Sequence, residues 1–247
     1  MKKYERLRRS LRWLELPLYR CVYRILRRIT KIDQSLLDVG GRKSPYTIGL
    51  AAKVTVSDLP REDEVQKALN LGLNQQLIEF IKKNRSNVVD VVFDDMAVSK
   101  LADDQFDGLV SVEVIEHVEA DGDFVKHAAR TLKPGGFFLL TTPNGEWVRN
   151  VNPDHKRHYT KSQLETLLST HFDVLWSRYA VQDHAFRRWG LRSWSPRRPI
   201  RTISSMFGNL VGNMMLTFDN GREYKGRNHL VALARKPASS LPGIEAQ

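Results

Sequence analysis

The chain has 247 residues, 41% of them apolar, one cysteine and a formal net charge of +11. Its length and apolar content suit one large globular domain and exclude a disordered chain. The lone Cys21 excludes an intrachain disulfide framework and a multi-cysteine metal cluster, and fits a reducing cytoplasm.

The first 31 residues carry eleven Lys or Arg against only Glu5 and Glu15, a local charge of +9. Leu7, Leu11, Leu14, Leu18, Val22, Ile25 and Ile29 recur three or four apart and define one apolar helical stripe among these cations. Pro17 is expected to kink the helix or start a second one. Arg recurs too often here for a signal peptide. No uncharged run reaches the ~20 residues of a membrane span; the best candidate, Ser204 to Leu216, is short and contains Asn209 and Asn213.

Strand–helix alternation follows. Expected strands are Ser35 to Gly40, Val54 to Asp58, Val88 to Phe93, Phe106 to Val112, Phe137 to Thr142, Phe172 to Tyr179 and Leu230 to Ala234. Expected helices are Glu62 to Lys83, with a break near Gly72, and Asp123 to Leu132, stopped by Pro134-Gly135-Gly136. Thr160 and Gln163 form a capping-box pattern that starts a further helix through Ser169. This order predicts an α/β fold with a mostly parallel sheet and helices on both faces. A second basic block, Arg187 to Arg201, precedes an apolar stretch with Met206, Phe207, Leu210 and Val211.

In such a sheet, ligands bind beyond the carboxyl ends of the strands, where strand order reverses, so the residues after each strand carry the chemistry. Asp38-Val39-Gly40-Gly41-Arg42 follows the first strand, and its glycines permit close backbone approach. Asp58 follows the second and can accept from two ribose hydroxyls, or else cap the turn beside Pro60. Asp95 follows the third, either facing an adenine amine or solvated. The fourth ends in Glu113-Val114-Ile115-Glu116-His117, which sets acids at the sheet edge. The fifth leads to Asn144 and then to Asp154-His155 and His158-Tyr159. A histidine beside an acid suits a general base near neutrality, though either could simply pin the loop. Two histidines three apart hint at a metal, but the sequence offers no evident third ligand, and no metal is expected.

Four segments in the right order, LLDVGG (36–41), FDGLVSVEVIEHVE (106–119), LKPGGFFLLTTPN (132–144) and PDHKRHYT (153–160), resemble the class I S-adenosylmethionine-dependent methyltransferases. The likeness is greatest to the branch that includes ubiquinone-biosynthesis O-methyltransferases, and it covers about residues 33–180. It implies a doubly wound, Rossmann-like, seven-stranded sheet and S-adenosylmethionine as cofactor. The implied cofactor contacts are Asp38, Gly40, Gly41 and Arg42 on the methionine part, Asp58 and Leu59 at the ribose, Asp95 and Met96 at adenine, and Glu113 near the sulfonium. Arg42 and Ser44 replace the later glycines of the family loop, so Arg42 either pairs with the methionine carboxylate or stays in solvent. Candidate catalytic residues are His155 first, then His158 and His117; Asn144, Asp154 and Tyr159 are expected to meet the acceptor.

The expected organisation is a basic amphipathic segment over 1–31, a methyltransferase domain over 32–236 with a substrate-side cover at 186–225, and a loose tail over 237–247. The stripe and its charge suggest a cytoplasmic enzyme resting peripherally on an anionic membrane, methylating a small or lipid-linked acceptor such as a quinone precursor or a glycan; otherwise the stripe packs on the domain and the helix merely displays its charge. The competing readings are a nucleic-acid methyltransferase, a non-catalytic membrane-associated protein that kept the fold, and a nicotinamide dehydrogenase. The first is disfavoured by Glu113-Val114-Ile115-Glu116 where an Asn/Asp-Pro-Pro-aromatic motif is usual. Retained Asp58 and Asp95 disfavour the second, and the incomplete glycine fingerprint disfavours the third.

Overall fold

The computed structural model describes residues 2–61, 72–192, 194–195, 197–218 and 224–238. Seven strands form one sheet: β1 (Ser35–Val39), β2 (Lys53–Asp58), β3 (Val88–Phe93), β4 (Phe106–Val112), β5 (Leu132–Pro143), β6 (Asp173–Gln182) and β7 (Arg227–Arg235). Their spatial order is β3-β2-β1-β4-β5-β7-β6. The pairs from β3 through β5 are parallel, whereas β7 runs antiparallel to both β5 and β6. The chain winds outward from β1 to β3, then returns to place β4 on the other side of β1. This reversal opens a crevice beyond the carboxyl ends of β1 and β4. The expected doubly wound, mostly parallel sheet is the observed one.

Neighbouring residues on a strand point to opposite faces, and the core divides accordingly. Leu36, Val54, Val110 and Leu139 are buried on one face; Leu37, Leu109, Phe138 and Leu140 on the other. The second face is covered by α4 (Asp121–Thr131) and α5 (Lys161–Leu168), through Phe124, Val125, Leu164 and Leu168. Thr160 and Gln163 close the capping box on α5 that their spacing predicts.

The first face is covered by α3 (Gln75–Asn84) and by the N-terminal α2 (Pro17–Ile29). Pro17 occupies the first turn of α2, where its missing N–H costs nothing, so it starts a helix rather than kinking one. Leu18, Val22 and Leu26 are buried in the core, with Ile25 and Ile29 packed against it. Before α2 come α1 (Lys3–Ser10) and a 3₁₀ turn (Arg12–Leu14). Glu5 anchors α1 by accepting from the Ser86 backbone N–H at 2.7 Å and from the Ser86 hydroxyl at 2.8 Å. The stripe on residues 1–31 was expected to face either a membrane or the domain; its α2 half packs on the domain and forms one of its layers.

The cover expected at 186–225 contains α6 (Arg187–Gly190) and the long α7 (Pro199–Phe218). Asn213 fastens α7 to the N-terminal segment by donating to the carbonyls of Trp13 at 2.9 Å and Glu15 at 2.7 Å. Residues 62–71 of the expected helix from Glu62, residues 219–223 of the cover and 239–247 of the expected tail lie outside the described residues. Among the described residues, no helix is long and apolar enough to cross a membrane.

Candidate active site

β1 delivers the chain into the crevice at Gly40, which takes a left-handed φ of 71°. A side chain there would be strained, and its Cβ would come within 2.6 Å of Val114 on the β4 loop. At Gly41 a Cβ would run into the Asp38 carboxylate. Asp38 is completely buried and accepts from Tyr46 and Thr47 at 3.0 Å each, and from Ser44. Asp38 was expected to touch a ligand; its oxygens are instead used to hold the 41–47 loop. Ser44, which replaces a family glycine, is one of those ties.

At the end of β2, Asp58 Oδ2 accepts from the Arg42 guanidinium at 2.6 Å, and Oδ1 from the Leu59 N–H at 2.9 Å. Arg42 is therefore not left in solvent: it reaches from the loop after β1 to the end of β2. Leu59 is half-exposed beside it. At the end of β3, Asp95 Oδ1 caps its own 3₁₀ turn by accepting from Ala97 N–H at 3.0 Å, and Met96 is buried in the core. Sequence reasoning passed over Asp94. Its backbone N–H donates to the Asp58 carbonyl at 3.2 Å, and its Oδ2 is buried with no hydrogen-bond partner.

β4 ends at Glu113, whose φ of 55° is left-handed although it is not glycine. Thr141 donates to Glu113 Oε1 at 3.1 Å, and His229 Nδ1 lies 3.1 Å from Oε2. Burial works against ionising this carboxyl, but the His229 imidazole and the Thr141 hydroxyl outweigh it and hold the pKa below the usual range. Glu116 behaves oppositely. Burial, aided by the charge of Glu113, raises its pKa well above the ordinary value despite a bond from Thr142. Two carboxyls three residues apart are thus pushed in opposite directions.

The loop after β5 brings three histidines together. His158 Nδ1 lies 2.9 Å from the Val148 carbonyl and must donate to it, so in the tautomer with a single N–H its Nε2 is an acceptor. His155 Nδ1 lies 2.7 Å from that Nε2 and donates. The chain of bonds therefore leaves a lone pair on His155 Nε2. Burial, with His117 and His158 alongside, lowers the His155 pKa, so its ring is neutral at neutral pH. The partner expected to orient His155 was Asp154; the structure assigns that part to His158, while the Asp154 carbonyl accepts from His117 Nδ1 at 3.1 Å. Ligand atoms of Glu116, His117 and His155 also lie within 4.8 Å of one another. The third ligand not evident in the sequence is Glu116, so the fold supplies a set that could hold a metal ion.

Two expected acceptor contacts are structural instead. Asn144 is fully buried; it donates to the carbonyls of Lys225 and Arg227 at 2.8 Å each and accepts from the Glu146 N–H. The Tyr159 hydroxyl donates to Asp121 at 2.8 Å, and burial raises its pKa. Both side chains hold the loop rather than face a ligand.

Beside Glu113 lies a cavity of about 80 Å³ with mainly apolar walls from Leu16, Pro17, Leu18, Val181 and Leu191. Its polar walls are Glu113, His184, Arg187, Asn209 and His229, with Tyr19 completing it. His229 and Tyr19 escaped the sequence reading. One sits on the last strand and the other in a helix read by its stripe, though the paired position of His229 opposite Pro143 follows once the β5–β7 register is known.

A family model described as a methyltransferase domain matches residues 10–207. A Mycolicibacterium smegmatis protein that carries the name probable S-adenosylmethionine-dependent methyltransferase is 30% identical over 113 residues, 44% of each chain. The mitochondrial ubiquinone biosynthesis O-methyltransferase of Dictyostelium discoideum is 29% identical over 122 residues, 48% of this chain and 38% of that one. The chain thus spans less than half the length of these two relatives. Among solved structures, the [4+2]-cyclase SpnF superposes with a TM-score of 0.60 over 90% of this chain and 82% of its own, at 18% identity, which is a likeness of fold.

Proposed function

The chain belongs to the methyltransferase domain family, on its class I fold, and from that membership we propose that it is an S-adenosylmethionine-dependent O-methyltransferase. The residues present fit this cofactor. The loop from Gly40 to Arg42 would take its methionine end and Asp58 its ribose. Asp94, whose buried Oδ2 lacks a partner, would take the adenine amine together with Asp95. When bound, S-adenosylmethionine supplies a methyl group activated by its sulfonium. What remains for the protein is to align an acceptor oxygen with that methyl and to remove a proton.

The observation that carries the proposal is the relay Val148–His158–His155, which presents a bare imidazole nitrogen from a neutral ring. In this reading, His155 Nε2 takes the proton of an acceptor hydroxyl, and the imidazolium that forms is stabilised by the ionised Glu113. The acceptor enters the cavity between α2 and α7, where apolar walls suit a ring and Glu113 a hydroxyl. The name of the Dictyostelium relative supports a quinone precursor; a lipid-linked glycan is the other acceptor class with an apolar part. A second reading keeps the reaction but moves the base to His229, because His229 lines the cavity itself.

The test is methyl transfer from radiolabelled S-adenosylmethionine to a panel of catechols, quinone precursors and lipid extracts. With an acceptor in hand, His155→Ala is expected to lower turnover by roughly 10²–10⁴-fold with cofactor affinity unchanged. If His155→Ala retains turnover and His229→Ala loses it, the second reading replaces the first. A chain that transfers no methyl group to any acceptor while binding the cofactor refutes both.

A further inference from the structure

The long helix α7 is seated the reverse way for a helix surrounded by water. Its inner face carries Ser205, Gly208, Asn209, Gly212 and Asn213, all buried. Its outer face carries Ile200, Ile203, Phe207 and Met214, which are 83%, 65%, 46% and 47% exposed. These four recur at helical spacing and form one stripe along the outside. A helix covering a water-soluble domain ordinarily turns its apolar stripe inward and its polar face out.

The inner face holds by hydrogen bonds and close backbone approach. The Ser205 hydroxyl donates to the carbonyls of Gly190 at 3.1 Å and Arg192 at 2.8 Å, and Asn213 donates to those of Trp13 and Glu15. Gly208 lies against α6: a Cβ there would come within 2.6 Å of the Phe186 carbonyl oxygen. Turning the stripe inward would break these bonds and push large side chains into a space that fits glycine, so the rotation of α7 is fixed. The apolar surface continues onto α6. The Phe186 ring touches those of Phe207 and Trp189, with centres 5.3 and 5.1 Å apart, and Trp189 and Leu191 are exposed beside it.

Charge around the stripe has one sign. Residues 184–218 contain six arginines and no Asp or Glu. Arg192, Arg197 and Arg198 are exposed at its N-terminal end. A second copy of the chain would bring these cations against their own kind, which repels. An anionic bilayer offers apolar chains to the stripe and negative headgroups to the arginines. Among the described residues no helix can cross a membrane, so α7 would lie along the surface. The α2 stripe is not available for this, because Leu18, Val22 and Leu26 are in the core.

We propose that α7 docks the protein on an anionic membrane surface, with Ile200, Ile203, Phe207 and Met214 entering the acyl boundary and Arg192, Arg197 and Arg198 against the headgroups.

The full chain is floated with phosphatidylcholine vesicles, with and without phosphatidylglycerol. No cofactor or acceptor is present, so the outcome is independent of methyl transfer. Partition onto the phosphatidylglycerol vesicles is expected, and it should fall at least about tenfold in Ile200→Gln/Ile203→Gln and by less in Met214→Gln. These side chains are exposed, so the variants should fold, which circular dichroism checks. Arg197→Gln/Arg198→Gln should also weaken binding, and its difference from wild type should shrink at high salt. Absence of binding to either vesicle overturns the proposal. So does binding that Ile200→Gln/Ile203→Gln retains in full, since cations elsewhere on the chain would then suffice. Sedimentation without lipid supplies the remaining outcome. Self-association that the same variant abolishes, without vesicle binding, overturns the proposal in favour of an interface between copies of the chain.

Discussion

Asp58 is where the cofactor assignment can be tested most sharply. It accepts from Arg42 and from its neighbour's backbone, one bond on each oxygen. Each carboxylate oxygen keeps a further acceptor position, so both ribose hydroxyls can be received without breaking either bond. Asp58→Ala removes the two bonds made only to the ligand; those to Arg42 and Leu59 are lost with or without it. At about 1.5–3 kcal/mol for a hydrogen bond to a charged group, two such losses weaken binding by roughly 10²–10⁴-fold. Arg42→Ala removes no ribose acceptor and should change affinity by less than about tenfold. The double variant should bind no worse than Asp58→Ala, because once Asp58 is gone Arg42 has nothing there to position. Calorimetric titration with S-adenosylhomocysteine measures all three, with circular dichroism confirming the fold. An Asp58→Ala chain that is folded and binds within threefold of wild type refutes the placement of the ribose. If Arg42→Ala proves as damaging as Asp58→Ala, the salt bridge rather than the free acceptor positions is what the cofactor needs.

Other expectations follow from single contacts. Glu113 holds a left-handed backbone without being glycine, so Glu113→Gly should melt higher than Glu113→Ala, by about 1 kcal/mol, with both equally impaired in turnover; equal melting would remove the strain argument. Asp107 is partly buried, which opposes its ionisation, but hydrogen bonds from Lys133 and Ser35 outweigh this and lower its pKa. Its contribution to stability is therefore full above the ordinary carboxylate pKa and lost as pH falls through the lowered one. Asp107→Asn should cost about 1–2 kcal/mol at neutral pH and little in strong acid, as denaturant titrations at two pH values would show. Turnover should survive exhaustive chelation, because burial and the charge of Glu113 disfavour the ionised Glu116 that a metal would need. Loss of activity in chelator, restored by a divalent ion, would assign Glu116, His117 and His155 to a metal instead of a proton relay.

The sheet was legible because apolar runs ended in acids, glycines or proline at regular intervals, and α5 because Thr160 and Gln163 stand at capping-box spacing. What the sequence does not carry is the direction of a side chain once its backbone is placed. Asn144 and Tyr159 stand at the right places along the chain, yet both turn inward to hold the loop. Asp154 is adjacent to His155 in sequence, but His158, three residues on, reaches the ring. His229 was invisible for another reason: it becomes a neighbour of Glu113 only through the pairing of β7 between β5 and β6, a contact across more than a hundred residues. The stripe on residues 1–31 was read correctly as a period. Its partner could not be read, since an apolar face fits a sheet layer as well as a membrane.

The late insertion of β7 bears on how the molecule comes into being. Val231 and Leu233 on β7 share a core with Val22 and Leu26 on α2, so segments far apart along the chain meet in one cluster. Until residues 227–235 have left the ribosome, β5 and β6 have no strand between them and α2 lacks part of its seat. Contacts so distant along the chain fold slowly, and they also time the appearance of activity. The cavity beside Glu113 cannot be complete before then, because His229 is one of its walls. Premature release of the chain should therefore leave a species that lacks the complete site, not a partly active enzyme.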